Sequence, residues 1–256
     1  MIDIHCHILP NVDDGPDDVE TSLSMARQAA KEGITHIVAT PHHRNGHFYN
    51  PKSEIIRFVA ALNDQIQAAQ IPITILPGQE TRIYGEMVED FEGGELLALN
   101  NTDRYVFVEL PANDVPRYTK QLFFNLQLKG LAPVIVHPER NRAIMENPNR
   151  LYRLVKDGAL SQVTAGSIVG RFGKKIQQLS YQLIEHALAH FIASDAHNLQ
   201  SRSFHMRAAY EEVAKDFGHE IADELFEINP KQLIDGKEIY THEASEVRRK
   251  KRFGWF

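Results

Sequence analysis

Thirteen histidines against a single cysteine set this 256-residue chain apart from an ordinary composition. A bias towards imidazole and carboxylate rather than thiolate points to hard or borderline divalent metals. The most telling spacing is His5-Cys6-His7. On an extended strand alternate side chains share a face, so the two imidazoles can hold one metal while Cys6 turns into the core. Ser194-Asp195-Ala196-His197 offers a carboxylate and an imidazole in the same way. Asp13-Asp14-Gly15-Pro16 supplies two carboxylates in a turn-forming context. Either could cap the next helix, and Asp14 is favoured as a ligand because Gly15 lets the backbone turn beside it. In Thr40-Pro41-His42-His43 the favoured ligand is His42, with His43 behind it or facing substrate. Glu80 and Glu109 each end an apolar run, where a buried carboxylate is costly unless a metal or cation pairs with it. The other histidines read as structural: His36 within a strand, His186, His190, His219 and His242 on helical or peripheral stretches, and His47 and His205 nearer the site but not in it.

The elements that must position these groups alternate along the chain. Strands are predicted at Ile2 to His5, His36 to Thr40, Ile73 to Leu76, Tyr105 to Leu110, Pro133 to His137, Gln162 to Ala165 and Phe191 to Ser194. Helical periodicity fills 17–32, 53–69, 83–92, 115–129, 149–158, 172–190, 203–217 and 219–227. Asp17 or Asp18 caps the first helix, and Gly33, Gly130 and Gly158 read as stops. This order predicts a parallel βα array in one domain over 1–256, with chemistry at the C-terminal ends of the strands. Six of the seven predicted strands lead into a potential ligand: His5 and His7, His42, Glu80, Glu109, His137, then Asp195 and His197. Only the strand at 162–165 does not.

A composition of 43% hydrophobic and 24% charged residues supports a sizeable core, and a net charge of −6 offers no basic field for nucleic acid. No apolar run is long enough to span a bilayer, and Met1 leads directly into the histidine pair without an export signal. A lone cysteine fits a reducing cytoplasm. The end of the chain, 245–256, is basic and aromatic, with Arg248-Arg249-Lys250-Lys251-Arg252-Phe253-Gly254-Trp255-Phe256. It is read either as a solvated terminus or as a docking element for an acidic partner or anionic membrane.

His5-x-His7 with Asp14-Gly15, Thr40-Pro41-His42, His137-Pro138-Glu139-Arg140 and Ser194-Asp195-x-His197 resemble the four motif regions of the PHP (polymerase and histidinol phosphatase) superfamily. More narrowly, Asp3-Ile4-His5-Cys6-His7-Ile8-Leu9-Pro10 and Asp195-Ala196-His197-Asn198 resemble the bacterial manganese-dependent tyrosine-protein phosphatases of the CpsB, CapC and YwqE type. The resemblance implies a distorted TIM-like (β/α)7 barrel with three Mn²⁺ ions held by His5, His7, Asp14, His42, Glu80, Glu109, His137, Asp195 and His197. Fe or Zn would also suit that donor set. It further implies that Arg140 and Arg202 hold the phosphate, with Arg142 and Arg171 as rivals by sequence, and that Asp195 and His197 join the catalytic group. Implied partners are phosphotyrosine proteins, above all a membrane-associated bacterial tyrosine kinase controlling capsule or exopolysaccharide synthesis.

A Cys-x5-Arg nucleophile loop is absent, since the residue six places after Cys6 is Val12. The expected chemistry is therefore in-line attack by a metal-activated hydroxide, without a covalent phosphoenzyme. Three other readings stand beside it: a histidinol-phosphate type of small-molecule phosphatase, an amidohydrolase, and a regulatory module that keeps metal only for structure.

Overall fold

The first apolar residues form β1 (Ile2–Cys6), and in the computed structural model, which describes residues 1–247, that strand is buried along its whole length. The basic run at 248–256 lies outside the described residues. After β1 come α1 (Val19–Lys31), β2 (His36–Ala39), β3 (His42–His43), α2 (Lys52–Ala68), β4 (Thr74–Pro77), β5 (Glu80–Arg82) and α3 (Met87–Glu92). Next are β6 (Tyr105–Glu109), α4 (Thr119–Leu128), β7 (Ala132–Val136), α5 (Arg142–Glu146), α6 (Asn149–Lys156), β8 (Leu160–Thr164) and α7 (Ala165–Ile168). The chain continues with α8 (Lys174–Glu185), β9 (Phe191–Ala193), α9 (Met206–Phe217), α10 (His219–Asp223) and α11 (Asn229–Ile234). Asp18 caps α1 by accepting from the Thr21 N–H at 2.7 Å, and Gly33 ends it at φ 85°.

All strand pairs are parallel, in a three-stranded sheet ordered β1-β2-β4 and a six-stranded sheet ordered β3-β5-β6-β7-β8-β9. Seven strands were expected, and nine are found among the described residues because two of them are interrupted. Thr40-Pro41 separates β2 from β3, and Gly78-Gln79 separates β4 from β5. Proline has no N–H to give to a ladder, so β2 breaks off before Pro41 and β4 ends at Pro77. His36 to Ala39 pair with Thr74 to Pro77, and His42 resumes against Glu80 in the same register. His42 and Glu80 therefore sit on short strands of their own rather than just past longer ones. Gly78 lies at this seam, where an added Cβ would stand 2.6 Å from Val38 Cγ1.

Helix α3 begins at Met87, later than the periodicity at 83–92 suggests, because Ile83 still donates its N–H to the Glu109 carbonyl at 2.9 Å. The predicted helix at 219–227 is likewise shorter: α10 stops at Asp223 and a π turn continues the chain over Glu224–Ile228.

The two sheets are tied together at β1. The Asp195 N–H donates to the His5 carbonyl at 2.8 Å, and the His7 N–H to the Ala196 carbonyl at 2.9 Å. Asp3 reinforces this seam from a fully buried position, accepting from the Ser194 N–H at 2.9 Å, from the Ser194 hydroxyl and from the His5 N–H at 3.3 Å. Burial pushes its carboxyl up to about 6 despite these donors.

A bulge in β1 decides which way the histidines point. Asp3 pairs with Ile37 but Cys6 with Ala39, so β1 carries one extra residue there. Ile2 and Ile4 pack in one apolar cluster with Phe107, Val134 and Phe191, and the His5 ring lies 5.1 Å from Phe107. Plain alternation would oppose Ile4 and His5; the extra residue lets both face the same interior. Cys6 goes the other way, into the larger cluster beneath α1 and α2.

Replacing Asp3 with alanine leaves the buried Ser194 and His5 amides without their acceptor. Urea unfolding of the metal-free protein is expected to show a loss of about 1–3 kcal/mol for that desolvated pair; an unchanged midpoint and slope would show that the seam does not depend on Asp3.

Candidate metal centre

Four donor atoms meet at the end of β1. The His5 and His7 Nε2 atoms lie 3.3 Å apart. Glu80 Oε2 is 3.5 Å from the first and 3.2 Å from the second, and Asp195 Oδ1 is 3.4 and 3.5 Å from them. Donors bonded to one ion at about 2.0–2.2 Å stand roughly 3.3–3.5 Å from one another in a tetrahedral site, which is close to the spacing of both imidazoles from each other and from either carboxylate.

The ring nitrogens turned away from this point are fixed by other residues. His5 Nδ1 donates to Gln162 Oε1 at 2.8 Å and His7 Nδ1 to Asp13 Oδ2 at 2.6 Å. His197 Nδ1 donates to the Asp195 carbonyl at 2.9 Å. Each bond selects the tautomer whose Nε2 lone pair faces inward. Asp13 is thus the partner of a donor and not a donor itself, and it also accepts from the His42 and Gly15 N–H groups. Gly15 is required there, because a Cβ would stand 2.4 Å from the His7 carbonyl oxygen.

Two further groups extend the centre. Asp14 Oδ1 lies 3.3 Å from His197 Nε2 and 3.5 Å from His42 Nε2, while the His7 and His197 rings stack at 3.7 Å. On the other side His42 Nδ1 is 2.9 Å from Glu80 Oε2 and 3.9 Å from Glu109 Oε2, and His137 Nε2 is 2.7 Å from Glu80 Oε1. Among the described residues the donor atoms fall into three sets, His5-His7-Glu80, His7-Asp14-His42-His197 and His42-Glu80-Glu109. Asp195 and His137 stand outside these sets but within contact of their members. Several members are shared, as a site for more than one ion requires. His42 Nδ1, Glu80 Oε2, Glu109 Oε2 and His197 Nε2 are buried without a hydrogen bond although oppositely charged atoms stand close by. Buried nitrogen and oxygen donors packed this closely without hydrogen bonds fit a divalent metal.

The backbone is bent to achieve this. His137 and Asp195 both adopt left-handed conformations, at φ 36° and 52°, which turn the chain sharply where β7 and β9 end. His42 is held by Asn50 Nδ2, which donates to the His42 and Val12 carbonyls at 2.8 and 3.0 Å.

The electrostatics stem from crowding. Burial works against ionising Glu80, but His42 and His5 overcome it and hold the carboxyl well below the carboxylate range. Asp195 is held low in the same way, burial being outweighed by Arg140 first. Glu109 goes the other way, to about 7, because burial and the neighbouring Glu80 charge outweigh Arg82, whose Nη2 donates to Oε1 at 2.9 Å. Burial and nearby cations bring His137 and His197 down to about 4. His7 is raised, the Asp13 carboxylate overcoming its burial.

All nine sequence-predicted ligands are brought together, and the two arginines with them. Arg140 Nη2 donates to Asp195 Oδ2, and Arg202 reaches Asp195 through Nη2 and Asp14 through Nη1, each at 3.3 Å. Arg202 returns to the site because Asn198 Oδ1 accepts from its N–H and its carbonyl accepts from the His197 N–H. A cleft of about 310 Å³ opens here, lined by Glu109, Leu110, Pro138, Arg140, Asp195 and Arg202 among others. Arg142 instead pairs with Glu146 on the surface, and Arg171 is exposed. His43 is buried away from the cluster, 5.0 Å from the Tyr49 ring, and neither His47 nor His205 joins the donor sets. Sequence reasoning missed Asp13, Gln162 and Arg82 as supporting residues. For Asp13 the signal was the aspartate pair; for Gln162 it was a polar residue opening the one strand without a ligand.

Parallel strands whose ends gather imidazoles and carboxylates in this way define an α/β protein with a divalent-metal site. The chain belongs to the CpsB/CapC family, whose model, "Capsular polysaccharide synthesis, CpsB/CapC", matches residues 1–235. It is 48% identical over 256 residues to the tyrosine-protein phosphatase YwqE of Bacillus subtilis (strain 168), covering 100% of both chains. It is 37% identical to the putative tyrosine-protein phosphatase CapC of Staphylococcus aureus, over 99% of each. A solved structure of YwqE from Bacillus subtilis, described with CpsB of Streptococcus pneumoniae as unique metal-dependent tyrosine phosphatases, superposes with a TM-score of 0.94 over 97% of this chain and 100% of that one.

Two measurements test the centre. Asp13→Ala or Gln162→Leu frees a supporting hydrogen bond without removing a donor, so chelator competition should show metal affinity lower by about 10–100-fold. Glu109 carries a proton below about 7 in the metal-free protein and must lose it to coordinate. Affinity should therefore fall as pH drops from 8 to 6, with protons released on binding at pH 6; a pH-independent affinity across that range would contradict the assignment.

Proposed function

We propose that this chain is a metal-dependent protein-tyrosine phosphatase, a phosphoric monoester hydrolase. One observation carries the reading: two guanidinium groups converge on a carboxylate at the wall of a cleft whose floor is the donor cluster. A metal site alone would need neither arginine. A phosphate monoester needs both, because planar guanidinium forks match its oxygens in bidentate fashion. The family relatives named as tyrosine phosphatases support the same conclusion.

The metal ligands in this reading are His5, His7, Asp14, His42, Glu80, Glu109, His137, Asp195 and His197, arranged for three Mn²⁺ ions, with the two sheets forming the parts of a (β/α)7 barrel of the PHP type. When bound, such ions lower the pKa of water and neutralise charge on phosphoryl oxygens. The protein's own groups do the rest. Arg140 and Arg202 exchange their contacts with Asp195 for the phosphoryl oxygens and hold phosphorus in line. The phenolate leaving group, with a parent pKa of about 10, departs without a strong acid behind it. Cys6 takes no part: its side chain is fully buried, its thiol lies 3.5 Å from the Ala196 carbonyl, and burial pushes it up. The corresponding substrate class is phosphotyrosine on proteins, with a membrane-associated tyrosine kinase of capsule synthesis as the partner and the cytoplasm as the compartment. No helix among the described residues is long and apolar enough to cross a membrane.

Purified protein loaded with Mn²⁺ should hydrolyse p-nitrophenyl phosphate and a phosphotyrosine peptide, and hydrolyse histidinol phosphate poorly. Arg140→Ala and Arg202→Ala should each lower kcat/KM by about 10²–10³-fold, and Cys6→Ala should leave it unchanged. Full activity in excess chelator would sink the proposal; a preference for histidinol phosphate would move it to the small-molecule class.

A further inference from the structure

Strand β8 is the one long strand near the centre that ends without a donor, yet it is buried throughout and borders β7 and β9. Its end is occupied by a residue from the neighbouring turn. Glu139 is fully buried, and its Oε1 accepts from the Thr164 N–H at 3.0 Å and from the Ser167 hydroxyl at 2.7 Å. A carboxylate in the interior is costly unless hydrogen bonds or a counter-charge offset its desolvation, and the Thr164 and Ser167 donors do so in part. The next residue in the chain is Arg140.

The surroundings of Arg140 are consistent with a cradle. The turn that carries it starts at the left-handed His137, whose N–H donates to the Gln162 carbonyl of β8 at 2.8 Å. The turn closes through the Arg140 N–H, which donates to the His137 carbonyl at 3.0 Å. The guanidinium lies over the Phe172 ring, 5.2 Å from its centroid. Phe172 in turn lies against α7 at Gly166, where a Cβ would stand 3.1 Å from the ring. Helix α7 is therefore held by Glu139 through Thr164 and Ser167, and Phe172, in the turn that follows it, packs back on Gly166 to form the aromatic surface on which Arg140 rests. The backbone before the arginine and the platform under it are locked to the same element.

We propose that Glu139 is a positioning residue for phosphate binding, fixing Arg140 against Phe172 by clamping its turn to the start of α7. This rests on the reading of Arg140 as a phosphate-binding residue. The Glu139 side chain bonds Thr164 and Ser167 and does not line the cleft; the turn it clamps also starts at His137, so metal content separates an effect on that donor from one on Arg140. Glutamine keeps an acceptor oxygen for Thr164 and Ser167, whereas alanine keeps none.

Calorimetric binding of inorganic phosphate to the Mn²⁺-loaded protein tests this directly, with metal content and Tm measured on each variant. Glu139→Ala should weaken phosphate binding on the order of ten-fold at unchanged metal content, and Glu139→Gln should restore most of it. In an Arg140→Ala background, Glu139→Ala should weaken it no further. Should Glu139→Ala fail to fold, Ser167→Ala removes one of the two donors and should weaken phosphate binding two- to three-fold, again only while Arg140 is present. Additive losses in the Arg140→Ala background, or wild-type phosphate affinity in folded Glu139→Ala or Ser167→Ala, would overturn the proposal. Unchanged affinity in Arg140→Ala alone would instead remove the phosphate role of Arg140, and this proposal with it.

Discussion

Four carboxylates and five imidazoles converge where strands end, most of them cut off from water. Like charges at such spacing repel, and desolvation disfavours every ionised form. Glu80 and Glu109 show the outcome most clearly. Glu80 is surrounded by His5, His7, His42 and His137 and stays ionised, while Glu109, with Glu80 as neighbour and Arg82 as counter-charge, is pushed up to about 7. Divalent metal relieves this strain more fully than any arrangement of protons, because one ion neutralises several carboxylates while the imidazoles stay neutral. The requirement to hold such a cluster open explains the outer layer: Asp13 on His7, Gln162 on His5, Asp3 across the β1–β9 seam.

The parallel order of strands and helices could be read from hydrophobic runs and turn residues, and so could the strand-end placement of the donors. His5 and His7 follow the alternation expected of a strand end, whereas Asp195 reaches the same point from a left-handed turn past β9 that alternation does not describe. Asp14 over Asp13 and His42 over His43 also came from local conformation. The limits came where tertiary contacts take over. Pro41 interrupts one strand and Pro77 ends another, and their effect on the ladder could have been foreseen from the missing N–H groups alone. The β1 bulge could not, since an extra residue is defined only against Ile37 and Ala39 of the neighbouring strand. Asp13, Gln162 and Arg82 escaped for a similar reason: their partners His7, His5 and Glu109 are separated from them by sequence or by the fold.

In the proposed phosphatase, Asp195 stands between the metal-binding donors and the two arginines. Its Oδ1 faces His5 and His7 and its Oδ2 meets Arg140, while Arg202 Nη2 lies 3.3 Å from both oxygens. Charge drawn from Oδ1 by a bound ion is charge no longer available to Arg140. Ions held by the donor cluster would draw on the same carboxylate, so in the proposed phosphatase Asp195 would hold both guanidinium groups less tightly and leave them freer for a phosphate oxygen. Without ions the same arginines neutralise Asp195 at the wall of the open cleft. The left-handed backbone at Asp195 turns the chain at the end of β9 and brings this carboxylate to the seam between the donors and the arginines.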